Sequence, residues 1–300
     1  MARRIGPDER DPPAALSPNE QSGPRLTVVG SINFDVVARV SRFPRPGETV
    51  TGAESLGGPG GKGANQAVAA ALLGAQVRMV GRLGDDIFTA RLRVSLEESG
   101  VDVGGLVFDR GDCGLALILV ADDGENQIVV TPGANWRLTP EDVSIGDGDA
   151  VLCQLEIPAE TVAAAAEQSR GFFYLNAAPA RPVPAAVLER ADLVVVNRYE
   201  REALSEEPRG LVALTLGPEG AVLLERGREV ARATPPRVRA VDGTAAGDAF
   251  TACLVVSLLE GRTREQALTR ACAAGALAAS RAGAQASLPT AAEVDEALPV

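Results

Sequence analysis

Short apolar segments alternate with helical patterns along most of the chain, and this alternation restricts the possible folds more than any other feature. From Ala150 onward, four predicted strands are separated by helical segments; they are Val151–Leu155, Phe172–Asn176, Leu193–Asn197 and Leu211–Thr215. Strands that alternate with helices in this way form mostly parallel sheets with helices on both faces. The sequence therefore predicts an α/β fold with a mostly parallel sheet.

The remaining segments complete this fold and add a small second sheet. Further strands are predicted at Leu26–Val29 and Val77–Leu83, and a β-ribbon at Ala221–Glu225 and Glu229–Thr234. Predicted helices cover Ala64–Leu73, Ile87–Ser99, Ala159–Gln168, Pro184–Arg190, Arg198–Leu204, Phe250–Glu260, Arg264–Ser280 and Ala291–Leu298. Leu115–Val120 and Gln127–Thr131 flank the turn-forming residues DDGEN and predict a hairpin, to which Glu48–Gly52 could add a strand.

The segment Val241–Phe250, with the sequence VDGTAAGDAF, predicts a loop that enters a helix. Free backbone N–H groups and the positive end of the helix dipole make such a place suitable for phosphate. Asp248 is expected in the first helical turn, where a carboxylate would repel phosphate. A general base that accepts a proton from an attacking hydroxyl is the usual reason for a carboxylate there.

Polar residues stand at or just beyond the ends of several predicted strands: Asn33, Asp35, Glu156, Asn176 and Asn197. Asn33 and Asp35 alternate with apolar residues and are therefore expected on one face. In open α/β sheets, ligands bind at the carboxyl ends of the strands. These residues predict a polar ring around a polar ligand.

The glycine-rich segment Gly57–Ala67 contains Lys62, the single lysine among 29 basic residues. A compact ammonium acts on one oxygen atom as a point charge, which a planar guanidinium does not do. The segment lacks the order of a dinucleotide-binding or P-loop motif, because Gly63 follows Lys62. A plain flexible turn remains the alternative to a loop that approaches a small ligand closely.

Two further motifs each allow a functional and a purely structural interpretation. Asn197 and Glu200 could help to hold hydrated magnesium and phosphate, or could form a helix cap with an exposed acid. Thr215–Gly220, with the sequence TLGPEG, could contact a nucleotide or form an ordinary hairpin turn.

Composition excludes several classes of function. The net charge is −11 and only 3% of the residues are aromatic, so nucleic-acid binding is not expected. Without histidine, general-base chemistry must use a carboxylate. Four cysteines without metal-ligand spacing favour a reducing cytoplasm, and no long apolar segment predicts a membrane span. The polar segment 1–24 lacks a signal peptide's apolar core and is predicted to be a disordered tail.

Ten ordered motifs between Val28 and about Pro289 resemble the ribokinase branch of the sugar-kinase family defined by the PfkB signatures. They are GSINFD, FPRPGETVTG, GGKGANQA, GENQIVVTPGAN, QLEIP, NAAPAR, N-x-x-E, TLGPEG, VDGTAAGDAF and AGAQASLP. The resemblance implies a kinase domain at 25–300 with three α/β/α layers. It also implies a β-sheet lid, from about 44–56 and 112–131, that forms a homodimer contact.

The family's activity is transfer of the ATP γ-phosphate to a sugar, here implied as O5 of ribose. The resemblance makes Asp248 the base and assigns the anion hole to the N–H groups of Ala245, Ala246 and Gly247. Together with Asp248, the implied sugar contacts are Asn33, Asp35, Gly61, Lys62, Gly63, Asn65 and Glu156. The implied nucleotide contacts are Asn197, Thr215, Gly217, Gly220, Gly247 and Cys272.

Two cations are implied as well. Mg²⁺ would arrive with ATP and be held through water by Glu200. K⁺ would be bound, mostly by carbonyl oxygens, at Asp242, Thr244, Ala278, Arg281, Gly283 and Ser287. The other expected ligands are ATP and a small sugar.

Four features depart from the family's pattern. The segment Leu204–Val212 is short beside the nucleotide site, Gly243 and Ala245 replace the usual Thr and Gly, and Phe34 lies between two sugar contacts. Two alternatives therefore stay open: another sugar or nucleoside kinase of the family, or a binding protein with impaired catalysis.

Overall fold

The computed structural model describes residues 23–122, 125–146, 148 and 150–298, so most of the predicted tail at 1–24 lies outside the described residues. The strands are β1 (Arg25–Val29), β2 (Asn33–Val40), β3 (Glu54–Gly60), β4 (Gln76–Leu83), β5 (Asp102–Phe108), β6 (Gly114–Ala121), β7 (Asn126–Thr131), β8 (Ala150–Cys153), β9 (Phe172–Asn176), β10 (Leu193–Val196), β11 (Leu211–Thr215), β12 (Ala221–Glu225) and β13 (Arg228–Ala233). The helices are α1 (Lys62–Leu72), α2 (Thr89–Glu98), α3 (Ala159–Gln168), α4 (Ala185–Arg190), α5 (Arg198–Glu202), α6 (Ala246–Leu259), α7 (Arg264–Ala279) and α8 (Ala291–Glu296).

Nine strands form the large sheet in the order β13-β12-β11-β10-β9-β8-β1-β4-β5. Every neighbouring pair from β11 to β5 is parallel, and the β12–β13 ribbon is antiparallel at one edge. The adjacent residues Val28 and Val29 of β1 are both 0% exposed, yet they belong to different hydrophobic clusters on the two faces. This confirms the predicted α/β fold with a sheet that is covered on both faces.

One face of the large sheet packs against α1, α6 and α7, and the other packs against α3 and α4. Every residue of α6 from Asp248 to Ser257 is buried, which is typical of a helix inside a core rather than on a surface. Helix α6 contacts α1 on one side and α7 on the other. Its N-terminus is therefore fixed by two neighbouring helices.

The small sheet has the order β3-β2-β6-β7. Its β6–β7 hairpin confirms that prediction, with 123–124 of the turn outside the described residues. The strand expected at Glu48–Gly52 is wrong, because the chain is irregular there and β3 begins at Glu54. Sequence patterns missed β3 because glycines and a proline in its sequence ESLGGPG oppose β propensity.

Other element boundaries also differ from the predictions. The structure adds β2 and β5, which no predicted strand covered, and begins α6 at Ala246 rather than at Phe250. After α5, the chain reaches β11 at Leu211 without another helix, which agrees with the short segment noted in the sequence.

Candidate active site

The parallel strands β1, β8, β9, β10 and β11 all end at the same edge of the large sheet. Four residues of the predicted polar ring lie at or just beyond those ends: Asn33, Glu156, Asn176 and Asn197. The N-terminus of α1 comes to this edge as well, because the Lys62 N–H donates to Glu156. The N-terminus of α6 lies beside it, because Asn65 and Gln66 of α1 donate to Asp248. The candidate site is the space at this edge.

The N-terminus of α6 carries a carboxylate and two free N–H groups. Asp248 lies in the first turn and is 4% exposed. The Ala246 N–H donates to the Gly243 carbonyl at 3.2 Å, whereas no acceptor among the described residues pairs with the N–H of Ala245 or Gly247. A Cβ built on Gly247 would meet no atom within 4 Å. Open space in front of free N–H groups at the start of a helix can hold an anion.

Ala245 fits this loop despite the departure from the family's glycine. Its φ of −107° is one that any L-residue adopts, and its side chain is buried. The methyl group therefore imposes no backbone strain.

Two amide side chains from α1 hold the Asp248 carboxylate. Asn65 Nδ2 donates to Oδ2 at 3.0 Å, and Gln66 Nε2 donates to Oδ1 at 2.8 Å. Sequence reasoning found Asn65 but missed Gln66. The signal for Gln66 was a glutamine beside the alanines and valine that form the buried face of α1.

Lys62 and Asp248 share an electrostatic environment with three further carboxylates. Burial raises the pKa of Asp248, and the Lys62 charge together with the two amide donors opposes that rise. Burial lowers the pKa of Lys62, but the surrounding carboxylates hold it above the ordinary lysine value; they are Asp248, Glu156, Glu200 and Asp35. Lys62 therefore remains a cation in the site.

Glu156 anchors the start of α1. Its Oε2 accepts hydrogen bonds from the Ser31 hydroxyl at 2.6 Å and from the Lys62 backbone N–H at 3.1 Å. A carboxylate at a helix N-terminus interacts favourably with the helix dipole. Ser31, which the sequence analysis did not assign, thus connects the end of β1 to the Lys62 loop.

The two glycines beside Lys62 permit close packing of the α1 N-terminus on the segment after β1. Gly61 has a φ of +89°, and its Cβ would lie 2.7 Å from the Asn33 backbone nitrogen. A Cβ on Gly63 would lie 2.5 Å from the backbone nitrogen of Ser31. The glycine-rich segment is therefore a helix start under tight steric constraint, not a plain flexible turn.

Asn135 orients the side chain of Asn33. Asn135 Oδ1 accepts the Ile32 N–H at 2.9 Å, so its Nδ2 group is the one that donates to Asn33 Oδ1 at 2.7 Å. Asn33 must then direct its own NH₂ group elsewhere, which makes it a donor toward the site. A Cβ on Gly114 would collide with both amides at about 2 Å, so the position must be glycine.

Asp35 lies on β2 with its carboxyl group against the backbone of Gly60. Burial, followed by the charges of Glu156 and Asp248, raises the pKa of Asp35 to about 7. The side chain of Phe34 between these positions turns the other way and stacks on Phe88 at 4.2 Å between ring centroids. Phe34 therefore does not enter the polar site.

Five of the six predicted nucleotide residues line one cavity of about 620 Å³. They are Thr215, Gly217, Gly220, Gly247 and Cys272. The cavity is mostly apolar and begins at the N-terminus of α6, so it can take the base of a ligand whose phosphates lie at that terminus. All four cysteines are free and buried.

The sixth nucleotide residue, Asn197, does not line that cavity but forms a capping box with Glu200. Asn197 Oδ1 accepts the Glu200 N–H at 2.9 Å, and the Glu200 carboxylate accepts the Asn197 N–H at 2.7 Å. Burial raises the pKa of Glu200, which also interacts electrostatically with Lys62 and Asp248. The helix cap of the structural interpretation is therefore present, but the acid is half-buried rather than exposed. Glu200 interacts electrostatically with the charged groups of the site.

The residues implied for K⁺ come from the loop before α6, from the C-terminal end of α7 and from the segment that follows α7. The Asp242 carboxylate accepts the Thr244 N–H and the Gly283 N–H, both at 3.0 Å. The Ala279 carbonyl accepts the N–H groups of Val241 and Asp242. The described residues contain no group of three or more carboxylate, cysteine or histidine ligands. Carbonyl and carboxylate oxygens from these loops are ligands of the kind that hard cations prefer, so the residues fit such an ion.

Comparison with known proteins gives consistent matches over nearly the whole chain. The model of the pfkB family of carbohydrate kinases matches residues 24–291. A ribokinase of Bacillus subtilis is 38% identical over 91% of this chain and 99% of its own. The Thermotoga maritima ribokinase structure has a TM-score of 0.82 at 33% identity and covers 90% of this chain and 98% of that one. An Arabidopsis thaliana ribokinase complexed with ribose and ATP has the same TM-score at 29% identity, covering 93% and 99%.

No helix in the described part of the chain is long and apolar enough to cross a membrane.

The raised pKa of Asp35 makes stability depend on pH. The folded protein keeps a proton on Asp35 up to about pH 7, whereas the unfolded chain releases it near 3.8. The contribution of this protonation to the free energy of unfolding is therefore fully present below pH 4 and is lost as the pH rises through about 7. We expect Asp35→Asn to gain stability relative to the parent protein between pH 4.5 and 8, on the order of 3 kcal/mol. Urea unfolding at both pH values measures the difference, with the exposed Asp85→Asn as control. Parallel pH dependence of the parent protein and Asp35→Asn would contradict the assignment.

Proposed function

The chain belongs to the pfkB family of carbohydrate kinases, and on that premise we propose that it transfers the γ-phosphoryl group of ATP to O5 of D-ribose. The observation that carries the proposal is the buried Asp248 carboxylate at the N-terminus of α6. It lies between an apolar cavity and a cluster of polar side chains. The ribokinase similarity over nearly the full chain supports ribose as the acceptor.

In the proposed reaction, Asp248 accepts the proton of the sugar O5 hydroxyl. O5 forms a bond to the γ-phosphorus while the bond from that phosphorus to the bridging oxygen of ADP breaks. The free N–H groups of Ala245 and Gly247 would stabilise the charge that develops on the transferred group. The Ala246 N–H, which donates to the Gly243 carbonyl, would have to exchange that bond to join them. Such a transfer requires positioning and charge stabilisation more than covalent participation by the protein.

The sugar would lie between the residues that surround Asp248. The NH₂ group of Asn33 is oriented to donate to a sugar oxygen, and Asp35 and Glu156 can accept from hydroxyl groups. Lys62, Asn65 and the backbone of Gly61 and Gly63 complete the proposed set. Asn65 Oδ1 is buried without a hydrogen-bond partner among the described residues, so it can accept from a hydroxyl group.

ATP would place its base in the cavity beside Thr215, Gly217, Gly220 and Cys272, with its phosphates toward Gly247. Asn197 would contribute from the neighbouring loop. Mg²⁺ is bound as part of the substrate, and Glu200 would hold it through water.

We propose that K⁺ binds at Asp242, Thr244, Ala278, Arg281, Gly283 and Ser287. Its charge would stabilise the loop that leads into the anion-binding residues. The Asp242 carboxylate already joins the two loops that would provide the carbonyl oxygens.

The small sheet would act as a lid that excludes water and as the contact of a homodimer. The edge strand β7 is exposed along its whole length and carries Ile128, Val129 and Val130 in succession. An uncovered apolar edge strand is suited to pairing with another chain. The lid of a second copy is the proposed occupant of that edge.

The reaction assignment predicts strong loss of turnover on substitution of the base. We expect the parent protein to release ADP from Mg-ATP and D-ribose, faster in potassium chloride than in choline chloride. Asp248→Asn should lower kcat by roughly 10²- to 10⁴-fold, because the general base is lost, while ribose still binds. A coupled ADP assay and calorimetric titration with ribose measure the two effects.

The control is Asp102→Asn, at the opposite edge of the sheet, which should leave turnover unchanged. Near-normal turnover of Asp248→Asn would contradict the assignment. A higher kcat/KM for another sugar or a nucleoside than for ribose would identify the chain as another kinase of the same family. Ligand binding without ADP release would favour the binding-protein alternative.

The dimer contact predicts a change in oligomeric state. Val129 is 61% exposed on β7, and Val129→Lys would place a charge in the proposed contact. We expect the parent protein to sediment as a dimer and Val129→Lys as a monomer in analytical ultracentrifugation. Val94→Lys, an exposed site on α2, is the matched control and should remain dimeric. A monomeric parent protein would refute the contact.

A further inference from the structure

Gln66 is a buried glutamine whose two amide N–H donors are both used, one by the candidate base and one by a neighbouring amide. It is 0% exposed on α1. Its Nε2 donates to Asp248 Oδ1 at 2.8 Å and to Asn176 Oδ1 at 2.9 Å. Its Oε1 accepts from Gln154 Nε2 at 2.7 Å. Four segments of the chain thus meet at this one side chain.

We propose that Gln66 is a positioning residue for Asp248, fixed in one amide orientation by Gln154 and Asn176, so that Oδ1 is held by the protein and Oδ2 is left for the substrate hydroxyl. This inference rests on the proposed function and names a group that the sugar itself does not touch.

The amide side chains of Asn176, Gln66 and Gln154 form a hydrogen-bonded chain. The groups at its ends determine which way each amide is turned. A carboxylate and a backbone carbonyl can only accept hydrogen bonds. Asn176 Nδ2 donates to the Val195 carbonyl at 3.2 Å, so Asn176 must turn its oxygen toward Gln66. Gln66 therefore faces acceptors on Asn176 and Asp248 and must present its NH₂ group to both. Its oxygen is left for Gln154.

The two oxygens of Asp248 consequently have different surroundings. Oδ1 is bound by Gln66, whose two donors are both used and whose oxygen already accepts from Gln154. Oδ2 is bound by Asn65 alone, and Asn65 retains a buried Oδ1 without a partner among the described residues. Asn65 Oδ1 can therefore accept a hydrogen bond from the sugar. Gln66 could donate to a sugar only if it broke its bond to Asp248 or to Asn176. Oδ2 is the oxygen that becomes available to the substrate.

Gln66 also helps to keep the base ionised. The charged groups that face Asp248 are Lys62 on α1, Glu156 beyond β8, Asp35 on β2 and Glu200 on α5. Only Lys62 favours the carboxylate, and burial opposes it. A donor to the charged form lowers the pKa of an acid. Removal of the Gln66 amide should therefore raise the pKa of Asp248 and make it a base only at higher pH.

The surroundings of Gln154 show that this chain of amides has an energetic cost, which is the burial of an unpaired polar atom. Gln154 is buried, and its Oε1 has no partner among the described residues. That oxygen lies so close to Gly30 that a Cβ there would approach it to 2.1 Å. Apolar residues at 66 and 154 would avoid this buried, unpaired acceptor. The need to hold the Asp248 carboxylate in one orientation gives a reason for amide side chains at 66 and 154.

The test compares Gln66→Met and Gln154→Met with the parent protein. Methionine has nearly the same length as glutamine but no amide. A matched control is Thr161→Val, which removes a buried hydroxyl that donates to the Leu138 carbonyl on the far side of the sheet. The pKa of Asp248 is measured in the free protein by ¹³C NMR of labelled aspartate, with Asp248→Asn to assign the signal. The pH profiles of kcat/KM and of kcat, and the KM for sugar, are measured in parallel.

We expect Gln66→Met to raise the pKa of Asp248 by about one to two, the equivalent of a hydrogen bond to a charged group. The acid limb of the kcat/KM profile, which reports ionisations of the free protein, should move by the same amount. Below that limb kcat/KM should fall roughly 10- to 100-fold, through kcat and with little change in KM. Gln154→Met should show a smaller change of the same sign. Thr161→Val should lose only thermal stability.

An unchanged Asp248 pKa in both methionine variants would overturn the proposal, as would a loss of stability alone like that of Thr161→Val. If Gln66→Met does not fold, the titration of Gln154→Met tests the proposal, which an unchanged pKa of Asp248 in that variant would overturn. Failure of the proposed function is distinguishable, because a parent protein that phosphorylates no sugar still permits the NMR titration.

Discussion

The interaction on which this molecule depends is the burial of one carboxylate, Asp248, at the meeting point of two helix N-termini. A buried charge is costly unless it is paired and hydrogen-bonded. Here the compensation comes from Asn65 and Gln66, which lie more than 180 residues away in the sequence, and from the Lys62 charge. Helices α1 and α6 must therefore pack in one register, because a displacement would leave the carboxylate unpaired.

The same requirement accounts for the arrangement around the Lys62 loop. Helix α1 can bring its amides to Asp248 only if its first turn lies directly on the segment that follows β1, where Gly61 and Gly63 leave no room for a side chain. Glu156 then ties that turn to β8 and Ser31. The side chains proposed to bind the sugar, the free N–H groups at the start of α6 and the apolar cavity are thereby held at one edge of the large sheet. A family of carbohydrate kinases can use such a rigid frame for phosphoryl transfer.

Local patterns in the sequence predicted much of this arrangement. The alternation of strands and helices predicted the sheet, and the loop before α6 predicted an anion site with Asp248 in the first turn. Strand β3 was misplaced because its glycines oppose β propensity and its pairing with β2 is a tertiary effect. Gln66, Gln154 and Asn135 were missed because their partners lie 88 to 182 residues away. No local period reports a hydrogen bond across such a distance.

The most direct measurement of the central claim is the ³¹P NMR spectrum, with proton coupling, of the product formed from Mg-ATP and D-ribose. Transfer to the primary hydroxyl would give a monoester phosphorus coupled to the two H5 protons, and this is the result expected of Asp248 as the base for O5. Phosphorus coupled to a single ring proton would place the phosphate on a secondary or anomeric hydroxyl. That spectrum, or the appearance of inorganic phosphate alone, would contradict the account.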